Sequence, residues 1–228
     1  MTLRGNTTVE PAVCNARVQV IDLGICNLMS MTNALERVGV RWEKVNTVER
    51  VGRECDAIIL PGVGAFSAGM DALRSSGIDV RIQDISEKAQ LPILGICLGM
   101  QLLFDGSDEY GKHAGLGLIP GWVKKLEPVN NEFKVPNVGW CEVEWRDRES
   151  VLARPEAESP EAFYFVHSYW CDCERNEDQV GTVDMGFPMA AVVEVGNIMG
   201  AQFHPEKSLD AGLDLLLRFA RFAANRSR

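Results

Sequence analysis

The sequence has no hydrophobic run of the roughly 20 residues that a membrane-spanning helix needs. It also lacks an apolar stretch near its start. Residues 1–16, MTLRGNTTVEPAVCNA, are too polar for a signal peptide, and we interpret them as a flexible N-terminal extension. These two absences predict a protein that is not secreted and has no membrane partner.

Positive charge is scarce in this chain. The 228 residues include 23 Lys and Arg against 32 Asp and Glu, which gives a formal net charge of -9. A surface of this sign repels a phosphate backbone, so we expect no nucleic-acid partner.

Paired cysteines are missing as well. The seven cysteines are scattered, without the spacing of a zinc site or the density of a disulfide framework. Cys171 and Cys173 would share one face of a strand, but no second ligand pair accompanies them, so we interpret them as ordinary strand residues. We therefore expect a reducing cytoplasm and no metal. We also expect no cofactor.

The hydrophobic content of 46% is enough for a sizeable core, and we expect a single domain over residues 17–228. Strand patterns occur at about residues 17–23, 40–46, 56–60 and 91–96. Helical patterns follow most of them, and Asn27 is predicted to cap the first helix. This alternation predicts parallel strands covered by helices.

The second half of the chain has a different pattern. Residues 105–115 predict a polar loop, either a solvated surface or the rim of a substrate site. From about 116 to 195, short alternating strands predict an added antiparallel layer. The predicted fold class is α/β: an open, mostly parallel sheet flanked by helices, with that antiparallel layer added.

The stretch LPILGICLGMQLLF, residues 91–104, changes from a strand pattern to a helix pattern around Cys97. The frame GICLG, residues 95–99, has the spacing of a sharp strand-to-helix turn that exposes a nucleophile between two glycines. A helix N-terminus after Cys97 would favour the thiolate. The alternative is a buried, unreactive cysteine at a tight turn.

Two other features can complete a site around such a nucleophile. The glycines of PGVG, residues 61–64, would let backbone N–H groups face a developing oxyanion, although a plain turn is the alternative. His204 lies at a predicted strand end beside Glu206, so it is either a base oriented by a carboxylate or a surface histidine. His167, in an apolar strand, is interpreted as a hydrogen-bonded core residue.

Five motifs together resemble a known family: GICLGMQ around Cys97, PGVG, KVPxxGW, FYFVHSY and GAQFHPEKS. They are similar to the class I glutamine amidotransferase family, and within it to the glutaminase subunits of imidazole glycerol phosphate synthase. The resemblance extends from about Val18 to the C-terminal helix. It implies a flavodoxin-like fold and an enzyme that hydrolyses L-glutamine.

By position, the resemblance implies a role for individual residues. Cys97 is implied to attack the glutamine carboxamide, His204 to act as general base and then acid, and Glu206 to hold the imidazole. The backbone N–H groups of Val63 and Leu98 are implied to bind the oxyanion. The implied glutamine contacts are Gln101, Glu109, His167, Ser168 and Tyr169.

The resemblance also implies a partner. Ammonia would pass through a channel to a cyclase subunit with a (β/α)8 barrel, and the two subunits would form a heterodimer. The barrel would make imidazole glycerol phosphate and an aminoimidazole carboxamide ribotide. Lys207 and Trp140 occupy the interface positions of the family, although Lys207 taken alone is equally a solvated lysine.

The chain departs from the family pattern at two places. Where the family usually has PHMGWN, this chain has PNVGWC, with Asn137 and Cys141 replacing a histidine and an asparagine. The early GxGN turn has Cys26 instead of its second glycine. Two alternatives therefore stay open: a paralogous glutaminase subunit for amidination of surface sugars, and a regulatory subunit without glutaminase activity. The retained triad argues against the second alternative.

Overall fold

The computed structural model describes residues 14–25, 28–130, 133–154 and 160–226, and its central element is a nine-stranded sheet. The strands are β1 (Arg17–Ile21), β2 (Arg41–Val45), β3 (Ala57–Gly62), β4 (Ile93–Cys97), β5 (Phe104–Ser107), β6 (His113–Ala114), β7 (Ile119–Lys125), β8 (Asn137–Trp145), β9 (Glu161–His167), β10 (Tyr169–Cys173), β11 (Gln179–Asp184), β12 (Pro188–Val195) and β13 (Ile198–Ala201). The helices are α1 (Met29–Arg37), α2 (Phe66–Ser76), α3 (Ile78–Asp84), α4 (Leu98–Leu102) and α5 (Leu209–Arg226). The predicted alternation of strands and helices in the first hundred residues is confirmed.

The parallel half of the sheet has the order β2-β1-β3-β4-β13. Its two faces supply two separate hydrophobic clusters, because successive side chains of a strand point to opposite sides. Ile59 packs in the cluster that includes Leu35 of α1 and Phe219 of α5. Ile58, its neighbour in β3, packs in the cluster that includes Phe66 of α2. Helices therefore cover both faces, which explains why β3, β4 and β13 are almost continuously apolar, whereas the edge strand β2 (RWEKV) is not.

The antiparallel strands do not all form a separate layer, and this corrects part of the prediction. Strands β12, β11, β8 and β9 continue the central sheet beyond β13. The four pairings on that side are antiparallel, so the sheet is evenly mixed rather than mostly parallel. A second, four-stranded sheet has the order β10-β7-β5-β6. The predicted α/β class is confirmed.

The loop predicted over residues 105–115 is wrong in part, and so is the length of the helix after Cys97. That helix ends at Leu102, and Phe104 already begins β5. In a longer helix, the carbonyl oxygens of Leu102 and Leu103 would accept hydrogen bonds from the next helical turn. Here they accept from a different segment: the Leu116 N–H binds the Leu102 oxygen at 2.9 Å, and the Leu118 N–H binds the Leu103 oxygen at 2.8 Å. These contacts are not local in sequence, so helical propensity alone could not reveal them.

The end of the predicted N-terminal extension belongs to the folded structure. Cys14 and Ala16 are buried, and Arg41 donates a hydrogen bond of 2.7 Å to the Asn15 carbonyl oxygen. Residues 1–13 of the predicted extension and the predicted cap Asn27 lie outside the described residues. In the described parts of the chain, no helix is both long and apolar enough to cross a membrane.

Candidate active site

Cys97 ends β4 in a strained turn that glycines make possible. Its φ of 53° is positive, which is uncommon for a residue with a side chain. A Cβ atom on Gly99 would lie 1.7 Å from the Leu60 carbonyl oxygen, and one on Gly95 would lie 2.6 Å from the Gly99 oxygen. Both positions therefore require glycine, and the chain can turn sharply enough to place the Cys97 side chain in a cavity of about 590 Å³.

His204 reaches the same cavity from the next strand of the sheet. Strand β13 pairs with β4 in parallel, with Ala201 opposite Ile96, so both strands end at the same edge of the sheet. The His204 side chain is buried, and its Nδ1 lies 2.8 Å from Oε1 of Glu206. The surface position considered for His204 is thus wrong.

The charge state of His204 depends on both neighbours. Burial alone lowers the pKa of His204, but the interactions with Cys97 and Glu206 outweigh burial and raise the pKa to about 9. Its Nε2 is buried and forms no hydrogen bond of ordinary geometry within the described residues. Catalytic hydrogen bonds are often poorly aligned without substrate and tighten when the substrate binds. The arrangement allows the imidazole to hold a proton between a sulfur and a carboxylate.

Ser208 anchors the backbone of His204, and the sequence analysis missed it. The buried Ser208 hydroxyl donates to the His204 carbonyl oxygen at 2.6 Å and accepts from the Tyr164 N–H at 2.9 Å. The Tyr164 carbonyl oxygen accepts from the His204 N–H at 2.9 Å. Strand β9 and Ser208 therefore fix His204 from two sides. A small polar residue after HPEK was the only available signal.

Val63 and Leu98 line the cavity with Cys97. They meet there because Gly62 lies opposite Cys97 in the pairing of β3 with β4, and Val63 follows directly. A Cβ atom on Gly62 would lie 3.1 Å from that of Leu98, so the two backbone segments approach closely. The structure thus brings together the two segments whose N–H groups were predicted to bind an oxyanion.

The predicted glutamine contacts also surround this cavity: Gln101, Glu109, His167, Ser168 and Tyr169. Gln101 Nε2 lies 3.2 Å from the Tyr169 carbonyl oxygen and 3.2 Å from Gln202 Oε1, and it can donate to both. Glu109 Oε2 accepts a hydrogen bond of 2.6 Å from the Phe66 N–H at the start of α2. A carboxylate at that position is stabilised by the helix dipole.

Gln202 was missed by the sequence analysis, although it lies within the motif GAQFHPEKS. It is fully buried, and its Nε2 lies 3.9 Å from Cys97 Sγ, within reach of a hydrogen bond to sulfur. Gln202 therefore connects Gln101 to the nucleophile candidate.

His167 is buried, and burial lowers its pKa to about 4. The ring is therefore neutral near pH 7. The interpretation of His167 as a hydrogen-bonded histidine is confirmed by contacts at both ring nitrogens.

The two predicted interface residues occupy different places around the cavity mouth. Lys207 is exposed and lines the cavity. Trp140 is half-exposed on β8, outside the cavity lining, and its ring packs edge-on against Tyr164 at 6.1 Å. Other exposed apolar side chains lie on the same strands and on the rim, and together they form an apolar surface: Val63, Tyr110, Val138 and Val166.

Cys171 and Cys173 are buried in β10, and both thiols are free. Burial raises the pKa of Cys173 to about 12, so it remains a thiol. Within the described residues, no group of three or more His, Cys, Asp or Glu side chains is arranged to hold a metal ion.

Comparison with known proteins agrees with this geometry. The family model described as glutamine amidotransferase class-I matches residues 19–220. The chain is 41% identical over 210 residues to the imidazole glycerol phosphate synthase subunit HisH of Bacillus subtilis strain 168, covering 91% of this chain and 97% of that protein. It is 39% identical over 206 residues to the subunit of the same name from Leptospira interrogans, covering 89% and 98%.

Solved structures share the fold at lower identity. A crystal structure of a glutamine amidotransferase has a TM-score of 0.70 at 20% identity, covering 91% of this chain and 98% of that one. A glutamine amidotransferase from Thermotoga maritima has a TM-score of 0.66 at 17% identity, covering 92% and 98%. The family match and the relatives at about 40% identity together show that the chain belongs to the class I glutamine amidotransferase family, among the HisH-type subunits of imidazole glycerol phosphate synthase.

Proposed function

We propose that this chain hydrolyses L-glutamine to glutamate and ammonia with Cys97, His204 and Glu206, and that it supplies the ammonia to a cyclase partner. One observation carries the proposal: Cys97 on its strained turn and the buried His204–Glu206 pair approach one cavity from adjacent strands. A nucleophile, a base and an orienting carboxylate are the three groups that covalent acyl transfer requires.

The first half of the reaction forms a thioester. With the proton of Cys97 held on His204 Nε2, the sulfur attacks the carboxamide carbon of glutamine. The oxyanion of the tetrahedral intermediate accepts hydrogen bonds from the backbone N–H groups of Val63 and Leu98. His204 then gives its proton to the amide nitrogen, the C–N bond breaks, and ammonia leaves a glutamyl thioester on Cys97.

The second half restores the enzyme. His204 accepts a proton from a water molecule as the water oxygen attacks the thioester carbon. The C–S bond breaks, glutamate is released, and the proton returns to Cys97. Throughout the reaction, Glu206 Oε1 accepts a hydrogen bond from His204 Nδ1–H. This contact stabilises the imidazolium whenever His204 carries two protons.

Glu109 is proposed to recognise the amino-acid end of the substrate. It is a buried carboxylate in the wall of the cavity, and a buried charge needs a partner of opposite sign. The α-ammonium group of glutamine supplies that charge. Gln101, His167, Ser168 and Tyr169 complete the proposed binding site.

The ammonia is proposed to pass directly to a synthase subunit with a (β/α)8 barrel, which forms imidazole glycerol phosphate and the aminoimidazole carboxamide ribotide. Free ammonia is mostly protonated near neutral pH, so transfer without contact with water preserves the reactive form. Support comes from the exposed apolar side chains and Lys207 around the cavity mouth, since a surface of this kind is typical of a protein interface. We propose a heterodimer in the cytoplasm.

The test measures glutamate release by the purified chain, alone and mixed with the barrel subunit of its own organism plus that subunit's nucleotide ligand. We expect strong stimulation by partner and ligand together. Cys97→Ala should abolish glutamine-dependent synthesis while synthesis from added ammonium salts continues. Cys55→Ala is the matched control, because burial and the nearby Asp56 raise the pKa of Cys55 to about 11 and leave it an unreactive thiol.

The other outcomes separate the alternatives. If Cys97 reacts with a glutamine-analogue alkylator but the barrel subunit gives no stimulation, the partner is the surface-sugar synthase. If Cys97 does not react at all, the chain has only a regulatory role and the proposed function is wrong.

A further inference from the structure

Asn137, one of the residues that depart from the family pattern, is buried and binds the ring of His167. It is the first residue of β8 and lies opposite His167 in the pairing with β9. Its Nδ2 lies 3.1 Å from His167 Nε2, and His167 Nδ1 lies 2.9 Å from the Tyr169 carbonyl oxygen. Both side chains are more than nine-tenths buried, at 8% and 6% exposure. The ring is therefore held at both nitrogens away from solvent.

The direction of each hydrogen bond follows from the chemistry of its ends. A carbonyl oxygen only accepts, so His167 Nδ1 carries a hydrogen and donates it to Tyr169. A neutral ring then has a lone pair at Nε2, which must receive a hydrogen. The Asn137 amide nitrogen is the donor at that position. His167 is thus expected in the Nδ1–H tautomer.

Cys141, the second departure, fixes which way the Asn137 amide points. The Cys141 thiol lies 3.7 Å from Asn137 Oδ1 and donates to it. Burial raises the pKa of Cys141, so the sulfur keeps the hydrogen that this bond needs. With Oδ1 occupied by the thiol, the NH₂ group of Asn137 faces His167. The two departures therefore act as one unit.

The last link reaches the cavity through Gln101. The Tyr169 carbonyl oxygen has two lone pairs and receives hydrogens from His167 and from Gln101 Nε2. The second hydrogen of that Gln101 amide can go to Gln202 Oε1. Both hydrogens of Gln101 are then used, which leaves its Oε1 as the atom available to an N–H group of a ligand in the cavity.

We propose that Asn137 is a positioning residue for the glutamine site: by donating to His167 Nε2 it selects the Nδ1–H tautomer, which holds the Tyr169 carbonyl and so orients Gln101. The inference rests on the proposed function only for what the cavity binds. The tautomer itself is a property of the folded chain and is measured without substrate.

The first measurement is ¹⁵N NMR of the full chain labelled at histidine, which is simple because the chain has three histidines. The wild-type ring of His167 should be a neutral Nδ1–H tautomer that does not titrate between about pH 5.5 and 8. Asn137→Asp has the same shape but only accepts, so it should place a hydrogen on Nε2 and raise the pKa of His167. The exposed neighbour Glu142→Gln is the control and should change nothing.

The titration must account for every charged or titratable group that shares the cavity with His167: Cys97, Glu109, Tyr110, Lys125, Tyr169, His204 and Lys207. A positive charge on His204 opposes protonation of His167. The ¹⁵N chemical shift of His167 in Asn137→Asp is therefore compared with that of wild type at each pH. The His204 signal is followed in the same spectra to report the charge of that ring.

Kinetics give the second measurement. Asn137→Ala removes the hydrogen bond to His167 Nε2 and the weak one from the Cys141 thiol. We therefore expect the KM for glutamine to rise about three- to tenfold while kcat stays within about twofold. Cys141→Ser keeps a donor to Asn137 and should retain wild-type KM. A merely structural role would lower the melting temperature without this separation of KM from kcat.

An Nε2–H tautomer in the wild-type chain would overturn the proposal, and so would an unchanged KM in Asn137→Ala. If neither Asn137 variant folds, the wild-type tautomer decides alone, because an Nε2–H ring cannot donate to Tyr169. If the wild-type chain has the Nδ1–H tautomer but does not hydrolyse glutamine, the proposed function is contradicted. The direction of the hydrogen bond from Asn137 to His167 would still be supported.

Discussion

The imidazole of His204 and the carboxylate of Glu206, two residues apart in the chain, are joined by a 2.8 Å contact that is almost completely shielded from water. Pro205 between them begins a short 3₁₀ turn, Pro205–Lys207, which brings both side chains to the same side. The proposed base and its orienting group therefore come from one local element, whereas the proposed nucleophile comes from a distant part of the chain.

Glu206→Gln should slow glutamine turnover without unfolding the protein. The amide can no longer stabilise a positive charge on His204, and it permits the wrong orientation of the ring, so we expect kcat to fall by between about 10-fold and about 10⁴-fold. The pKa of His204 should fall as well. Steady-state kinetics and ¹⁵N titration of His204 check both effects. Asp210→Asn, on a fully exposed carboxylate nearby, is the control. Near-normal turnover in Glu206→Gln would remove Glu206 from the triad.

Glu109→Gln should weaken glutamine binding and slightly destabilise the fold. The change keeps an oxygen for the Phe66 N–H but removes the negative charge from the start of α2, which costs about 1 kcal/mol or less. Without a counter-charge for the substrate ammonium group, KM should rise by at least about tenfold. The exposed neighbour Asp108→Asn should leave both quantities unchanged. An unchanged KM in Glu109→Gln would place the ammonium group elsewhere.

Two buried histidines predict a stability maximum near pH 6.5. The folded pKa of His167 is about 4, below the ordinary 6.5, so between these values the unfolded chain binds an extra proton and stability falls on acidification. The loss reaches roughly 3 kcal/mol, at about 1.4 kcal/mol per pKa unit. The folded pKa of His204 is about 9, so its contribution is complete below 6.5 and disappears as the pH rises through 9.

Urea unfolding between about pH 4 and 9 measures this profile. In His167→Gln, the free energy of unfolding should fall less on acidification below pH 6.5, and its decrease above pH 6.5 should be unchanged. If the decrease on acidification is as steep in His167→Gln as in wild type, groups other than His167 cause it.

Gly99→Ala should disrupt the turn that holds Cys97. The added methyl would lie 1.7 Å from a backbone oxygen, which cannot move aside without shifting β3. We expect a loss of about 3 kcal/mol or more in the free energy of unfolding, and little activity in any folded fraction. In Gly69→Ala the new methyl meets the flexible end of Leu102 at 3.0 Å, so its effect should stay within about 1 kcal/mol. Equal stability of the two variants would contradict the close approach at Gly99.

The strand-to-helix turn and the His204–Glu206 pair could be predicted from the sequence because each depends on residues within a few positions of one another. Glycines at 95 and 99 and the motif HPE carry this information locally. The fold class followed from alternating strand and helix patterns for the same reason.

The contacts that the sequence did not reveal depend on register between distant strands. Ser208 links His204 to β9 because its hydroxyl accepts from the Tyr164 N–H, 44 residues away along the chain. Asn137 meets His167 because β8 and β9 pair in one particular alignment. The alternating patterns of four strands likewise do not indicate whether they join the central sheet or form their own layer: β12, β11, β8 and β9.

Strand β13 has a consequence for the order in which the protein can be made. It is made after the other twelve described strands, yet it occupies the middle position of the nine-stranded sheet, between β4 and β12. Until residues 198–201 emerge, β4 and β12 each present an unpaired edge, and exposed edges are sites of aggregation. Cys97 also lacks its proposed base during this time, because His204 follows β13. Before β13 is made, the two halves of the central sheet therefore cannot join through it, and we expect no hydrolysis until residues 198–206 have been synthesised.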